Sequence, residues 1–241
     1  MFQAPPPHVN QKYAQKSTIA RLRAGLATLL APPQCVLCDA PGLPGPVDLC
    51  AGCLADLPCN SVGLQHAPGD CELLCCPWDF EFPVDELLRA LKFHGERSHA
   101  RLLGTLLARA RLACNLPLPQ WVVPVPLHPL RLRERGYNQA AELARFAARE
   151  LALRCEPRCL ERVRATREQT HLGAAERATN LQRAFRARRP LAVASVALVD
   201  DVMTTGSTLT AAAAALRAAG AQRIEIWVAA QAQRRDLIQT T

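Results

Sequence analysis

Aromatic residues make up only 5% of this 241-residue chain. A surface that stacks the bases of a single strand on aromatic rings is therefore poorly supplied. Lysine is nearly missing as well. Lys12, Lys16 and Lys92 are the only three, so 26 of the 29 basic residues are arginine. No apolar run approaches the ~20 residues that cross a bilayer, so no membrane span is expected. The opening stretch MFQAPPPHVNQKYAQK lacks a basic start followed by an apolar segment. It does not read as a secretion signal, and a cytoplasmic protein is expected. Two common phosphate signatures are missing too: there is no GxxxxGK followed by Ser or Thr, and no GxGxxG after a strand.

Apolar residues make up 49% of the chain and charged residues 21%, a globular rather than a disordered composition. The length suffices for one sizeable core and a small appended unit. Net charge is +8, from 29 basic against 21 acidic residues. Arginine's planar fork suits phosphate, which points to phosphate-bearing small ligands or nucleic acid. The same arginines also fit the bias of a chain rich in Ala, Pro and Leu, and composition does not separate the two. Eleven cysteines in a cytoplasmic chain argue for metal binding or free thiols rather than a disulfide framework.

The Pro-rich polar residues 1–16 predict a disordered tail. Ser17–Leu30 has helical spacing and stops at Pro32-Pro33. Residues 35–76 hold eight of the eleven cysteines with little periodicity, which predicts a small metal-stabilised module rather than a core-building one. The division expected is a tail at 1–16, a helix and cysteine module at 17–80, and a larger domain at 81–235. Helices are predicted from Asp85 to a break near Gly95, on to Ala113, over Asn138–Leu153 and over Leu209–Ala219. The last is closed by Gly220 as a left-handed cap. Strands are predicted at 121–126, Leu160–Val163, Leu191–Val199 and Arg223–Ala230, with a long basic loop at 164–183. Alternating strands and helices imply an α/β fold with a parallel sheet flanked by helices, where ligands bind at the carboxyl ends of the strands.

One such end carries VALVDDVMTTGSTL, residues 196–209. Parallel strands covered on both faces are apolar throughout, as VALV is. The next helix turns its free backbone N–H groups toward the loop, and an anion there gains roughly 0.3–1 kcal/mol. Thr204, Thr205, Ser207 and Thr208 add hydroxyls, and Gly206 permits close approach. Together they make a cradle for one phosphate. Asp200 and Asp201 cannot face that phosphate; they need sugar hydroxyls or a cation. A ribose 5-phosphate offers both ends.

VDDVMTTGSTL resembles the phosphoribosyl pyrophosphate (PRPP) motif of type I phosphoribosyltransferases. VPVPLHPLRLRERGYNQAAELAR (123–145), RVRATREQTHLGAAERATNLQRAF (162–185) and the CxxC pairs near the N-terminus resemble the ComF family of competence-associated, phosphoribosyltransferase-like proteins. The resemblance covers about residues 20–230. It implies a type I phosphoribosyltransferase-like domain with a small N-terminal zinc-binding module. It further implies a glycosyltransferase-class reaction in which Mg²⁺-bound PRPP loses pyrophosphate to an unknown acceptor. Carried over by position, Asp200 and Asp201 would bind the ribose hydroxyls as the catalytic pair, and Thr204, Thr205, Gly206, Ser207 and Thr208 would hold the 5′-phosphate. Leu127, His128, Arg131 and Arg135 would face pyrophosphate. Arg164, Arg167, Gln169 and Arg177 would belong to a closing lid. Each arginine fits a solvated basic face equally well. Asn138 reads first as a helix cap, and Lys92 as a surface residue.

Cys35-x-x-Cys38 and Cys50-x-x-Cys53, eleven residues apart, have the spacing of a tetrahedral Zn²⁺ site. Cys59, Cys71, Cys75 and Cys76 break the pattern of a second pair of knuckles. A second function class stays open: a PRPP-sensing competence factor that does not turn over and uses its zinc module on single-stranded DNA or protein partners.

Overall fold

The computed structural model describes residues 33–60, 67–94, 97–164 and 184–232. The predicted helix at Ser17–Leu30, the tail at 1–16 and most of the predicted lid lie outside the described residues.

Among the described residues, six strands form the main sheet: β1 (Leu73–Cys75), β2 (Trp78–Asp79), β3 (Trp121–Pro124), β4 (Arg154–Cys155), β7 (Ser195–Met203) and β8 (Arg223–Gln231). The order is β1-β8-β7-β3-β4, with β2 also on β8, and every pairing is parallel. β5 (Leu160–Arg162) and β6 (Phe185–Ala187) form a separate antiparallel ribbon. The helices are α1 (Ala51–Ala55), α2 (Val84–Arg89), α3 (Arg97–Ala113), α4 (Pro129–Arg135), α5 (Gln139–Glu150) and α6 (Ser207–Ala218); α2 runs on through a wider turn at Ala90–His94.

Period-two alternation assigns the two faces of the sheet. Val122, Ala197, Val199 and Trp227 point into a core with α3 and α5, whereas Val123, Val196, Leu198, Ile224, Ile226 and Val228 point into a second core with α6. α5 supplies Ala140, Leu143, Ala144, Ala147 and Ala148, an apolar stripe at helical spacing. α3 comes so close that a Cβ on Gly104 would stand 2.7 Å from the Leu143 carbonyl oxygen, so only glycine fits that crossing.

Several boundaries differ from expectation for physical reasons. β7 begins at Ser195, not Leu191, because the Leu191 amide turns away to the Ala219 carbonyl. It continues to Met203, because β8 still offers a partner: Asp200 pairs with Val228 and Met203 with Gln231. Backbone pairing does not require apolar side chains. β3 stops at Pro124, the first of its two prolines. The segment expected to build no core does contribute to it. Leu73, Leu74, Cys75 and Trp78 are buried, and β1 and β2 line the edge of β8.

Candidate functional site

The acid pair lies within the last turns of β7, at the carboxyl end of the sheet. The Asp200 side chain accepts the Asp201 amide at 2.9 Å, and the Asp201 side chain accepts the Val202 amide at the same distance. Each acid thus holds the backbone that carries the next residue. Burial pushes the Asp200 carboxyl well above the ordinary carboxylate range, and the charge of Asp201 adds to the rise.

Arg162, at the end of β5, opposes that rise electrostatically. Its guanidinium lies over the Phe185 ring, 5.4 Å from the centroid. Burial lowers the Arg162 pKa; Asp200 supports its charge and Arg131 repels it. Arg162 of the ribbon thus faces the acid end of β7, and Arg131 of the α4 helix lies within electrostatic reach of Arg162. Arg162, expected with Arg164, Arg167 and Arg177 to mark the lid, is instead the last residue of a strand. Nothing in the local pattern tells that β5 leads back to Asp200.

Behind the acids, Thr204 and Thr205 are exposed and Gly206 is buried in a left-handed turn, with φ +74°. α6 starts at Ser207, two residues before the predicted Leu209; its N-cap Gly206 has no side chain to cap it, and the Ser207 amide reaches the Thr205 hydroxyl at 3.4 Å. The Thr205 and Ser207 hydroxyls are 2.8 Å apart, while Thr210 donates to the Gly206 carbonyl from both its amide and its hydroxyl. An uncapped helix start beside exposed hydroxyls is an anion receptor. Pro68 packs on Gly206 and Gly69 on the Thr210 side chain, so the segment ahead of β1 buttresses this loop. No local pattern in the sequence records that contact.

The neighbouring strand end contributes Leu127 and His128, both half-buried. The Val125 amide donates to the Val199 carbonyl at 2.8 Å and carries the pairing of β3 with β7 beyond β3 itself. His128 caps α4 through Nδ1, which accepts the Leu130 amide at 3.4 Å. The α4 helix places Arg131 exposed and Arg135 half-buried and ends at Gly136 in the left-handed region. Asn138 is the cap predicted: it accepts the Ala140 amide at 3.1 Å and donates to the Val125 carbonyl at 2.9 Å. Arg164 is exposed. Arg167, Gln169 and Arg177 lie outside the described residues.

The sulfurs of Cys35, Cys38, Cys50 and Cys53 lie within 4.8 Å of one another. Cys38 and Cys50 are 3.7 Å apart, and Cys38 and Cys53 3.5 Å. Four ligands at the ~2.3 Å Zn–S distance of a tetrahedron stand about 3.8 Å apart, so the cluster fits Zn²⁺. Burial raises the Cys35 thiol, but amide donors from Cys50, Leu37 and Cys38 outweigh it and bring the pKa down to about 6. The four later cysteines do not join a second such cluster among the described residues. Cys76, for one, accepts from the Asn60 side chain and faces the Trp78 carbonyl.

No helix among the described residues is long and apolar enough to cross a membrane.

Comparison with known proteins places residues 138–238 in the phosphoribosyl transferase domain family. The chain is 36% identical to DNA utilization protein YhgH of Salmonella typhi over 197 residues, which is 75% of this chain and 83% of that one. It is 34% identical to competence protein F of Haemophilus influenzae over 208 residues, 76% of this chain and 90% of the relative. Among solved structures, the glutamine PRPP amidotransferase of B. subtilis aligns at 22% identity and a TM-score of 0.36, over 52% of this chain and 25% of that chain.

Proposed function

Starting from a chain that belongs to the ComF family of competence protein F and DNA utilization protein YhgH, we propose that it binds PRPP with Mg²⁺ and transfers the phosphoribosyl group to an acceptor, releasing pyrophosphate. One observation carries this reading: a half-buried acid pair and an uncapped helix start stand at opposite ends of a single strand-to-helix turn. That turn offers acceptors for a diol and donors for a phosphate, a few residues apart.

In this reading Asp200 and Asp201 accept hydrogen bonds from the ribose 2′ and 3′ hydroxyls. Thr204, Thr205, Ser207, Thr208 and the first amides of α6 hold the 5′-phosphate. Leu127, His128, Arg131 and Arg135 border the pyrophosphate, with Arg162 behind them. The nucleophile of the acceptor bonds to ribose C1 as the C1–O bond to pyrophosphate breaks. Charge-assisted bonds from arginine to phosphate contribute about 1.5–3 kcal/mol each. Mg²⁺ neutralises charge on the departing pyrophosphate when it is bound. Arg164, Arg167, Gln169 and Arg177 shield the reacting carbon from water.

Cys35, Cys38, Cys50 and Cys53 hold a structural Zn²⁺ in the N-terminal module, in the reducing cytoplasm. The names of the relatives support a role in the use of incoming DNA, with single-stranded DNA or competence proteins as partners.

The test is pyrophosphate release from PRPP, with purine, pyrimidine and nicotinate-type bases offered in turn as acceptors. Release that depends on one class identifies the acceptor. Thermal stabilisation by Mg²⁺ and PRPP without release under any acceptor establishes a PRPP sensor instead. No stabilisation at all refutes the reading.

A further inference from the structure

Residues 67–72 run alongside α6 and touch it at both ends. At the start of the helix Pro68 lies against Gly206: a Cβ on that glycine would stand 2.8 Å from the Pro68 Cβ and 3.0 Å from its Cγ. Gly69 comes next, in the left-handed region at φ +69°, and a Cβ on it would stand 3.1 Å from the Thr210 methyl carbon. Toward the end of the helix, Arg217 donates to the Asp70 carbonyl and to the Glu72 carboxylate, both at 2.5 Å. The other Glu72 oxygen accepts the Ile224 amide at 2.7 Å, and the Glu72 amide donates to the Ile224 carbonyl at 3.0 Å. Between these points Ala67 and Cys71 pack on the core that α6 shares with the sheet.

The lengths match. From Pro68 to Glu72 a chain reaches at most about 14 Å. The helix rises about 16 Å from Gly206 to Arg217, and the long Arg217 side chain closes the difference. The segment is a strap along the helix, fastened at the end remote from the acids.

Gly206 is the point that needs holding. Glycine has the most permissive backbone, and at the N-cap of α6 it has no side chain to fix the turn. Within the turn, its carbonyl accepts the Thr210 amide at 2.9 Å and the Thr210 hydroxyl at 3.1 Å. On the other side the Pro68 ring, whose own φ is locked, fills the space into which the turn would relax. Gly69 covers the Thr210 methyl in the same way. The strap thus bears on both residues whose contact shapes the cradle.

We propose, resting on the PRPP reading, that this strap positions the 5′-phosphate cradle, with Pro68 as the positioning residue. Pro68 acts through Gly206. It holds the turn so that the first amides of α6 and the hydroxyls of Thr204, Thr205, Ser207 and Thr208 converge on one phosphate before it arrives. Less ordering is then left for binding to supply. Arg217 and Glu72 set the place of the strap from the far end of the helix. Leu127, His128, Arg131 and Arg135, which border the pyrophosphate, stand on a different loop.

Separate isothermal titrations of ribose 5-phosphate and of Mg²⁺-pyrophosphate into the full zinc-loaded chain distinguish the two ends of the site. Pro68→Gly is expected to weaken ribose 5-phosphate about ten-fold, the contribution of one well-placed bond to phosphate. Its affinity for pyrophosphate should stay that of the parent. Pro68→Ala keeps the Cβ nearest Gly206 and should lose less. Arg217→Met frees the far end of the strap and should weaken ribose 5-phosphate in the same selective way. If Pro68→Gly does not fold, Pro68→Ala and Arg217→Met carry the same comparison. Equal loss of both ligands overturns the strap's role and leaves the PRPP reading standing. So does an unchanged ribose 5-phosphate affinity in Pro68→Gly or Arg217→Met, even with a lowered Tm, because a merely structural strap would behave that way. A parent that binds pyrophosphate but not ribose 5-phosphate also overturns it. A parent that binds neither of these nor PRPP removes the PRPP reading, and the role of the strap with it.

Discussion

A Cβ on Gly206 would stand 2.8 Å from the Pro68 Cβ and 3.0 Å from its Cγ. The backbone of Gly206 is also left-handed, with φ +74°. Two independent constraints therefore fix glycine at the N-cap of α6. One is the turn that aims the first amides of the helix toward the acid end of β7. The other is the proline ring that holds the turn in place.

Gly206→Ala is expected to cost roughly 2–4 kcal/mol, combining left-handed strain with overpacking. Thermal unfolding measures it. Adding Pro68→Gly relieves the clash and leaves only the strain, so the double variant recovers part of the loss. A single variant as stable as the parent would show that the turn does not need glycine.

Asp200 sets the pH dependence. A carboxyl whose folded pKa is raised costs nothing below its unfolded pKa, about 3.9. The cost grows as pH rises above that value and is complete once the folded value is passed. Asp200→Asn removes it while keeping an oxygen for the Asp201 amide. The variant should melt above the parent at pH 7, and the gap should close below about pH 4. A variant that melts lower at pH 7 would contradict the burial of this charge. The same variant should lose stabilisation by PRPP, so stability and function move in opposite directions at one atom.

The Arg111–Glu225 pair predicts a third outcome. Glu225 also accepts from Trp227 and from Arg223, and Arg111 holds two carbonyls. Glu225→Leu leaves a buried guanidinium without its counter-ion and should cost about 3–5 kcal/mol in denaturant unfolding. Arg111→Met with Glu225→Leu should recover most of that, because both charges then leave the core.

Zinc content is the fourth. Cys38→Ser should lower bound zinc from one per chain, measured by plasma emission. Hydrogen exchange should then quicken over residues 33–58 while β7 and β8 stay protected. Val47, Leu49 and Leu57 still anchor the segment to the core, so the loosening stays local. Full zinc in the variant would remove Cys38 from the ligand set.

Much of this was legible because the physics is local. VALV announces a covered strand, the α5 stripe repeats at helical spacing, and the two CxxC pairs set their own geometry. Three features were not. β1 and β2 are three and two residues long; too short to show a period, they take their register from β8. No residue of the α4 helix is buried, so PLRLRER shows no apolar face; its limits come from the His128 cap and Gly136. The approach of Arg162 to Asp200 depends on how the β5–β6 ribbon sits against the sheet, which no spacing records.

The most direct test is isothermal titration of Mg²⁺ and PRPP into the zinc-loaded chain and into Asp200→Ala/Asp201→Ala. The prediction is one site per chain in the parent and none in the double variant, with zinc content and cooperative unfolding retained in both. Equal binding by the two proteins would contradict a PRPP site at the end of β7.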